Sequence, residues 1–111
     1  MRRLLLAALL TCVAAPSAWA QAPQRQTQED DYTRYELLAP DTAQFRILYE
    51  VTATTAGAPY FFNAIRRGSV ATDERVTDMM TGQPLKWEVV SGAQARTEGH
   101  PAADLETEWL K

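Results

Sequence analysis

"QFRILYEVTAT", residues 44–54, alternates in chemistry from one end to the other. Phe45, Ile47, Tyr49, Val51 and Ala53 fall on one side, and Arg46, Leu48, Glu50, Thr52 and Thr54 on the other. Successive side chains of an extended chain point to opposite faces, so this spacing sorts the residues of a strand. A helix would scatter the same apolar residues around its circumference. The stretch is also rich in aromatic and β-branched side chains, which fit a pleated surface. It predicts an antiparallel strand with one face in a core.

Working outward, "RYELL" (residues 34–38) is a second strand, joined to the first through "APDTAQ", whose Pro40-Asp41 marks a turn. "TAGAP" (55–59) ends the long strand. "YFFNAIR" (60–66) follows as a strand apolar on both faces, and "RGSVATDE" (67–74) as a polar connection. "RVTDMM" and "LKWEVVSG" flank the turn "TGQP" and read as a hairpin over residues 76–90, with Leu85, Trp87 and Val89 inward. "GAQARTEGHPAAD" (92–104) is loop with room for one helical turn. Short strands at this spacing, with little helix, predict an all-β chain, a partial antiparallel β-sandwich of about four to five strands. The expected core is Phe45, Ile47, Tyr49, Val51, Phe62, Val76, Leu85, Trp87 and Val89.

The front of the chain carries an address. "MRR" is a basic n-region, "LLLAALLTCVAA" an apolar h-region, and "AWA" sets Ala18 and Ala20 at the −3 and −1 positions of an A-x-A cleavage site. The apolar run is shorter than the roughly 20 residues of a membrane-spanning helix. A cleaved signal helix over residues 1–20 is expected, with export to the periplasm or medium. A lipoprotein site at Cys12 is disfavoured by Thr11 before it, and a twin-arginine signal at Arg2-Arg3 lacks its flanking motif. Cleavage after Ala20 removes two arginines and no acid, taking the net charge from −3 to −5. That balance argues against nucleic acid or an anionic membrane surface as partner. Cys12, the only cysteine, leaves with the signal, so no disulfide staples the rest. A chain this small buries only about 60–65% of its unfolded surface. Residues 21–31, "QAPQRQTQEDD", lack apolar periodicity and read as a disordered leader, with order beginning at Tyr32 or Tyr35. Residues 32–111 are the expected β-module.

Chemistry-bearing residues are sparse. Glu29, Asp30 and Asp31 form an acidic run that solvation accounts for. His100 is the only histidine, whereas zinc sites cluster two or more His or Cys ligands. Ser69 and Ser91 lack a base nearby in sequence, with His100 the one candidate to fold beside either. Asp73, Glu74, Asp78 and Glu88 sit in turns or on outward strand positions, not as a carboxylate pair across a cleft. No catalytic, cofactor or metal residue is assigned. Arg66-Arg67-Gly68-Ser69 has the composition of a small anion site, and Tyr60, Phe61, Phe62 and Trp87 that of a ligand surface. Arg66, Arg67, Tyr60 and Phe61 are therefore the candidate ligand or partner surface, beside their plainer roles as strand end and core.

The span from Tyr35 to Gly92 resembles the start of the N-terminal β-domain of aminopeptidase N-type zinc peptidases. The likeness lies in a first strand, an acidic-proline turn, a second long strand, and a "G-x-P-L-x-[FW]" turn, here Gly82, Gln83, Pro84, Leu85, Lys86 and Trp87. A set of uncharacterised exported bacterial proteins carries a similar domain without a peptidase part. The resemblance implies a β-domain that borders an active site and catalyses nothing itself. The family's zinc ligands and catalytic glutamate belong to a later domain, and no residue here matches them. The expected function is thus an exported non-catalytic β-sandwich module with a binding or scaffolding role, the front part of a larger domain. The alternatives are a complete small periplasmic binding or inhibitor protein and a fragment of a secreted hydrolase. An unidentified protein or peptide is the expected partner, with self-association through an open sheet edge. "DLETEWLK" (104–111) is expected to begin a strand that the chain cuts off, against an amphipathic helix started by Pro101.

Overall fold

A computed structural model of the chain describes residues 21 and 23–111. The expected signal segment, with Cys12 and the expected cleavage positions Ala18 and Ala20, lies outside the described residues. Within them the fold is all-β, with one short helix: β1 (Gln28–Leu37), β2 (Phe45–Ala53), β3 (Asn63–Ile65), β4 (Val89–Ser91), α1 (Gly92–Thr97) and β5 (Glu108–Leu110). β1 and β2 form a two-stranded antiparallel ribbon, and the other three form an antiparallel sheet in the order β3-β5-β4.

The ribbon closes through a 3-10 turn, Pro40–Thr42. Pro40 supplies a fixed φ at its first position, and Ala43 takes a left-handed φ of 50° to send the chain back. Beyond this turn Leu37 faces Phe45, Tyr35 faces Ile47, and Thr33 faces Tyr49. The register slips between Glu29 and Tyr32, where Asp30 and Asp31 oppose one residue of β2 and Asp30 has φ 52°. Such a bulge suits an aspartate, whose short polar side chain tolerates the left-handed region. β1 thus starts at Gln28, ahead of the expected onset at Tyr32, and the leader is tied down before it. The Gln26 amide donates to the Thr55 carbonyl at 3.1 Å and accepts from the Thr55 N–H at 2.6 Å, and Thr54 N–H donates to Thr27 O at 2.9 Å.

The faces of β2 are those the alternation marks, but the expected core face is only half-buried at Tyr49 and Val51 and exposed at Phe45 and Ile47. Phe45 and Ile47 are 44% and 53% exposed, because among the described residues no other element covers the ribbon face they share with Tyr35 and Leu37. The buried apolar side chains lie elsewhere: Val90, Ala95 and Ala103, with Phe62 and Trp109 packed on them. Leu85, Trp87 and Val89 are exposed, so the expected inner face of "LKWEVV" is not formed and only Val90 of the stretch is buried. The expected hairpin over residues 76–90 shrinks to a single bridge, Thr77 to Pro84, around the "TGQP" turn. Pro84 has no N–H to extend pairing, and residues 88–91 pair with β5 instead. Val90 then faces Trp109, and Glu88 and Lys111 exchange backbone hydrogen bonds at 2.9 and 2.8 Å.

The C-terminal residues form a strand, not the alternative helix. β5 lies at the centre of its sheet, paired with β3 on one side and β4 on the other. α1 starts where Ser91 Oγ accepts from the Gln94 N–H at 3.1 Å, a side-chain cap. Gly92, the next residue, abuts the backbone of Asp104 and Leu105; a Cβ there would lie 2.0 Å from the Asp104 carbonyl oxygen. This contact seats α1 against the loop leading into β5.

Candidate functional site

The four residues singled out in the sequence do not converge. Tyr60 and Phe61 precede β3, and Arg66 and Arg67 follow it. Arg67 is committed: its guanidinium pairs with Asp104 at 3.1 Å and Glu106 at 3.0 Å. Arg66 is exposed, and its carbonyl accepts from the Ser69 N–H at 3.0 Å to close the turn. The sequence 66–69 is therefore a turn anchored to the β5 approach. Tyr60 holds Lys111 Nζ 4.5 Å over its ring centroid, a cation–π contact. Phe61 is half-buried.

Around β5 the charges pair off. Lys111, with only 10% of its side chain exposed, contacts Glu88 and reaches Glu98 at 2.8 Å. Hydrogen bonds to these carboxylates raise the Lys111 pKa. The same bond to Lys111 holds the Glu98 carboxyl below its usual range. Asp104 is lowered too, first by the Glu106 backbone N–H and also by Arg67. Ser91 is a helix cap, Asp78 accepts from the Met80 N–H in its turn, and Asp31 accepts from the Gln28 amide. Among the described residues no three His, Cys, Asp or Glu side chains gather as a metal site.

The ribbon supplies what those four residues lack, a coherent surface. Tyr35, Leu37, Phe45 and Ile47 share one exposed face, with the Tyr35 and Phe45 rings 5.9 Å apart. At the turn end Leu37, Leu38, Pro40 and Phe45 border an apolar depression of about 270 Å³. The opposite face is mixed, bearing the Arg46–Glu36 pair at 3.1 Å beside the exposed Leu48 and Tyr32. Among the described residues both outer edges of the ribbon are unpaired. The alternation marked this face in the sequence, but marked it as core; no signal in β2 distinguishes an apolar face covered by its own chain from one left open.

Comparison of the chain with models of protein families, with curated proteins and with solved structures finds no match.

Proposed function

We propose that the chain is an exported, non-catalytic β-module that binds a protein partner, taking an extended segment of that partner onto the β1–β2 ribbon. The observation that carries this reading is the exposed aromatic and aliphatic face on a ribbon with two unpaired edges. A two-stranded ribbon is marginal in water by itself and gains from a third strand. Main-chain hydrogen bonds along an edge would supply affinity, and side chains at alternate positions would meet Tyr35, Leu37, Phe45 and Ile47. The partner's strand could equally come from a larger β-domain of which this module is the front part, as the resemblance to peptidase β-domains implies. The basic and apolar leader with its A-x-A site supports export.

The test is photocrosslinking from residue 47, on the ribbon face, with residue 80 as control, since Met80 is 96% exposed and distant in sequence from the ribbon. A discrete adduct from residue 47, lost on Phe45→Lys, is expected. An adduct of twice the chain's own mass would assign the partner as a second copy. Equal labelling from residue 80, or no discrete adduct, would overturn the proposal.

A further inference from the structure

The outer edge of β2 is long and uninterrupted. The strand runs from Phe45 to Ala53, nine residues without proline or glycine. At its two ends the Gln44 carbonyl accepts from the Leu38 N–H at 3.1 Å, and the Thr54 N–H donates to the Thr27 carbonyl at 2.9 Å. Residues of an antiparallel strand turn their backbone groups alternately to one side and the other, so the even-numbered residues of β2 bond to β1. Phe45, Ile47, Tyr49 and Val51 therefore turn their N–H and C=O groups outward, where no strand among the described residues takes them. A row of such groups is a template for a further strand.

The other edges suit this less. β1 is interrupted by its bulge and carries Glu29, Asp30 and Asp31 at that end, and both a bulge and edge charges obstruct pairing. β3 and β4, the outer strands of the second sheet, are three residues each.

The side chains of β2 specify what fits beside it. Arg46 pairs with Glu36 on β1 and keeps further guanidinium donors for a second carboxylate. Glu50, four positions on, enters no ion pair among the described residues. A strand that complements this edge offers an acid opposite Arg46, a base opposite Glu50, and apolar residues between and around them. β2 itself has that order when run antiparallel about Leu48. Arg46 of one copy then faces Glu50 of the other, twice in the pair, while Phe45 meets Val51, Ile47 meets Tyr49, and Leu48 meets Leu48. The outward-turned residues 45, 47, 49 and 51 form the hydrogen-bonded pairs of this register. A two-fold centred on Ile47 would set Arg46 against Leu48, and one centred on Tyr49 would set Glu50 against Leu48.

We infer that, given the ribbon's role in taking up an extended segment, that segment is β2 of a second copy of this chain, paired antiparallel about Leu48. The result is a four-stranded sheet with β1 at both edges and one continuous apolar face. The interface is isologous, since the same residues contribute from each copy. Pairing over residues 45–51 alone is small, in the class below about 1,200 Å² that serves transient contacts, so the dimer should dissociate on dilution.

The experiment traps it covalently in the full chain carrying Leu48→Cys, with Cys12→Ser to remove the only native thiol. Across the two-fold the two positions form a non-hydrogen-bonded pair with Cα atoms about 4.5 Å apart, within disulfide reach. Mild oxidation should link two copies. Thr52→Cys, on the same face, should not crosslink, because its counterpart lies about 27 Å away along the strands. Adding Arg46→Glu or Glu50→Arg to the Leu48→Cys chain sets like charges opposite each other and should weaken crosslinking about tenfold. Mixing those two variants restores opposite charges and should restore the crosslink, which misfolded chains would not do. No link from Leu48→Cys, equal linking from Thr52→Cys, or no recovery on mixing would overturn the self-pairing. If the photo-adduct from residue 47 then joins the chain to a different protein, the ribbon still binds an extended segment and only its source is another; if that adduct is missing as well, the ribbon reading falls too.

Discussion

Replacing Gly92 with alanine tests whether the fold is organised around the α1–β5 contact. The added Cβ would lie 2.0 Å from the Asp104 carbonyl oxygen, 2.7 Å from Leu105 Cα and 2.8 Å from the Asp104 carbonyl carbon. All three are backbone atoms, so no side-chain rotation relieves the clash. Contacts under 3.0 Å are essentially never seen for real Cβ atoms, so the loop must retreat by about an ångström. That loop carries the buried Ala103, accepts the Arg96 Nε–H at 2.6 Å on the Ala103 carbonyl, and accepts the Trp109 indole N–H at 3.4 Å on the Asp104 carbonyl. Overpacking of this kind costs about 1–3 kcal/mol. Loss of a hydrogen bond adds about 0.5–1.5 kcal/mol. A total near 2–4 kcal/mol is a large part of the roughly 5–15 kcal/mol that holds an ordinary domain. Urea unfolding followed by tryptophan fluorescence reads it, because Trp109 sits beside the affected loop. A loss below about 1 kcal/mol, with an unchanged m-value, would refute the packing described for α1.

Other outcomes follow from the same geometry. Val90→Ala, at a position 3% exposed, should cost about 2 kcal/mol in the same assay, whereas Ile47→Ala on the open ribbon face should cost less than about 1 kcal/mol. Lys111→Met should let the Glu98 carboxyl titrate closer to its ordinary range, seen by carboxyl-carbon NMR, since the bond to Lys111 is what lowers it. His100 has a depressed folded-state pKa, so the unfolded chain binds its proton first. The stability His100 contributes is present above its unfolded value of about 6.5 and is lost as pH falls from there through the folded pKa, so thermal unfolding should come earlier at pH 5 than at pH 7. His100→Phe should flatten that dependence. The proposed export predicts an N-terminus at Gln21 by mass spectrometry of the protein recovered outside the cytoplasm; a lipid-modified Cys12 would instead indicate the lipoprotein route, and an intact Met1 would refute cleavage.

The sequence by itself determined the period-two faces of residues 45–53, the Pro40 turn, the "TGQP" turn, and a final strand at Trp109 and Leu110. Each is local: alternation, a proline ring and a glycine at φ 72° act within a few residues. Which apolar face is covered is a long-range matter, because burial depends on a partner far along the chain. Residues 88–91 chose β5 over the adjacent 75–80 segment, and that choice put Val90 inside and Val89 outside. The candidate surfaces divide in the same way. Arg66-Arg67-Gly68-Ser69 has the composition of an anion site or of a strand end, and only the fold sets the Arg67 guanidinium beside Asp104 and Glu106, more than thirty residues later. The self-complementary order of residues 45–51 lies in the sequence, whereas the unpaired outer edge of β2 that lets it act is decided by the fold, because an edge stays open only where no other strand of the chain reaches it.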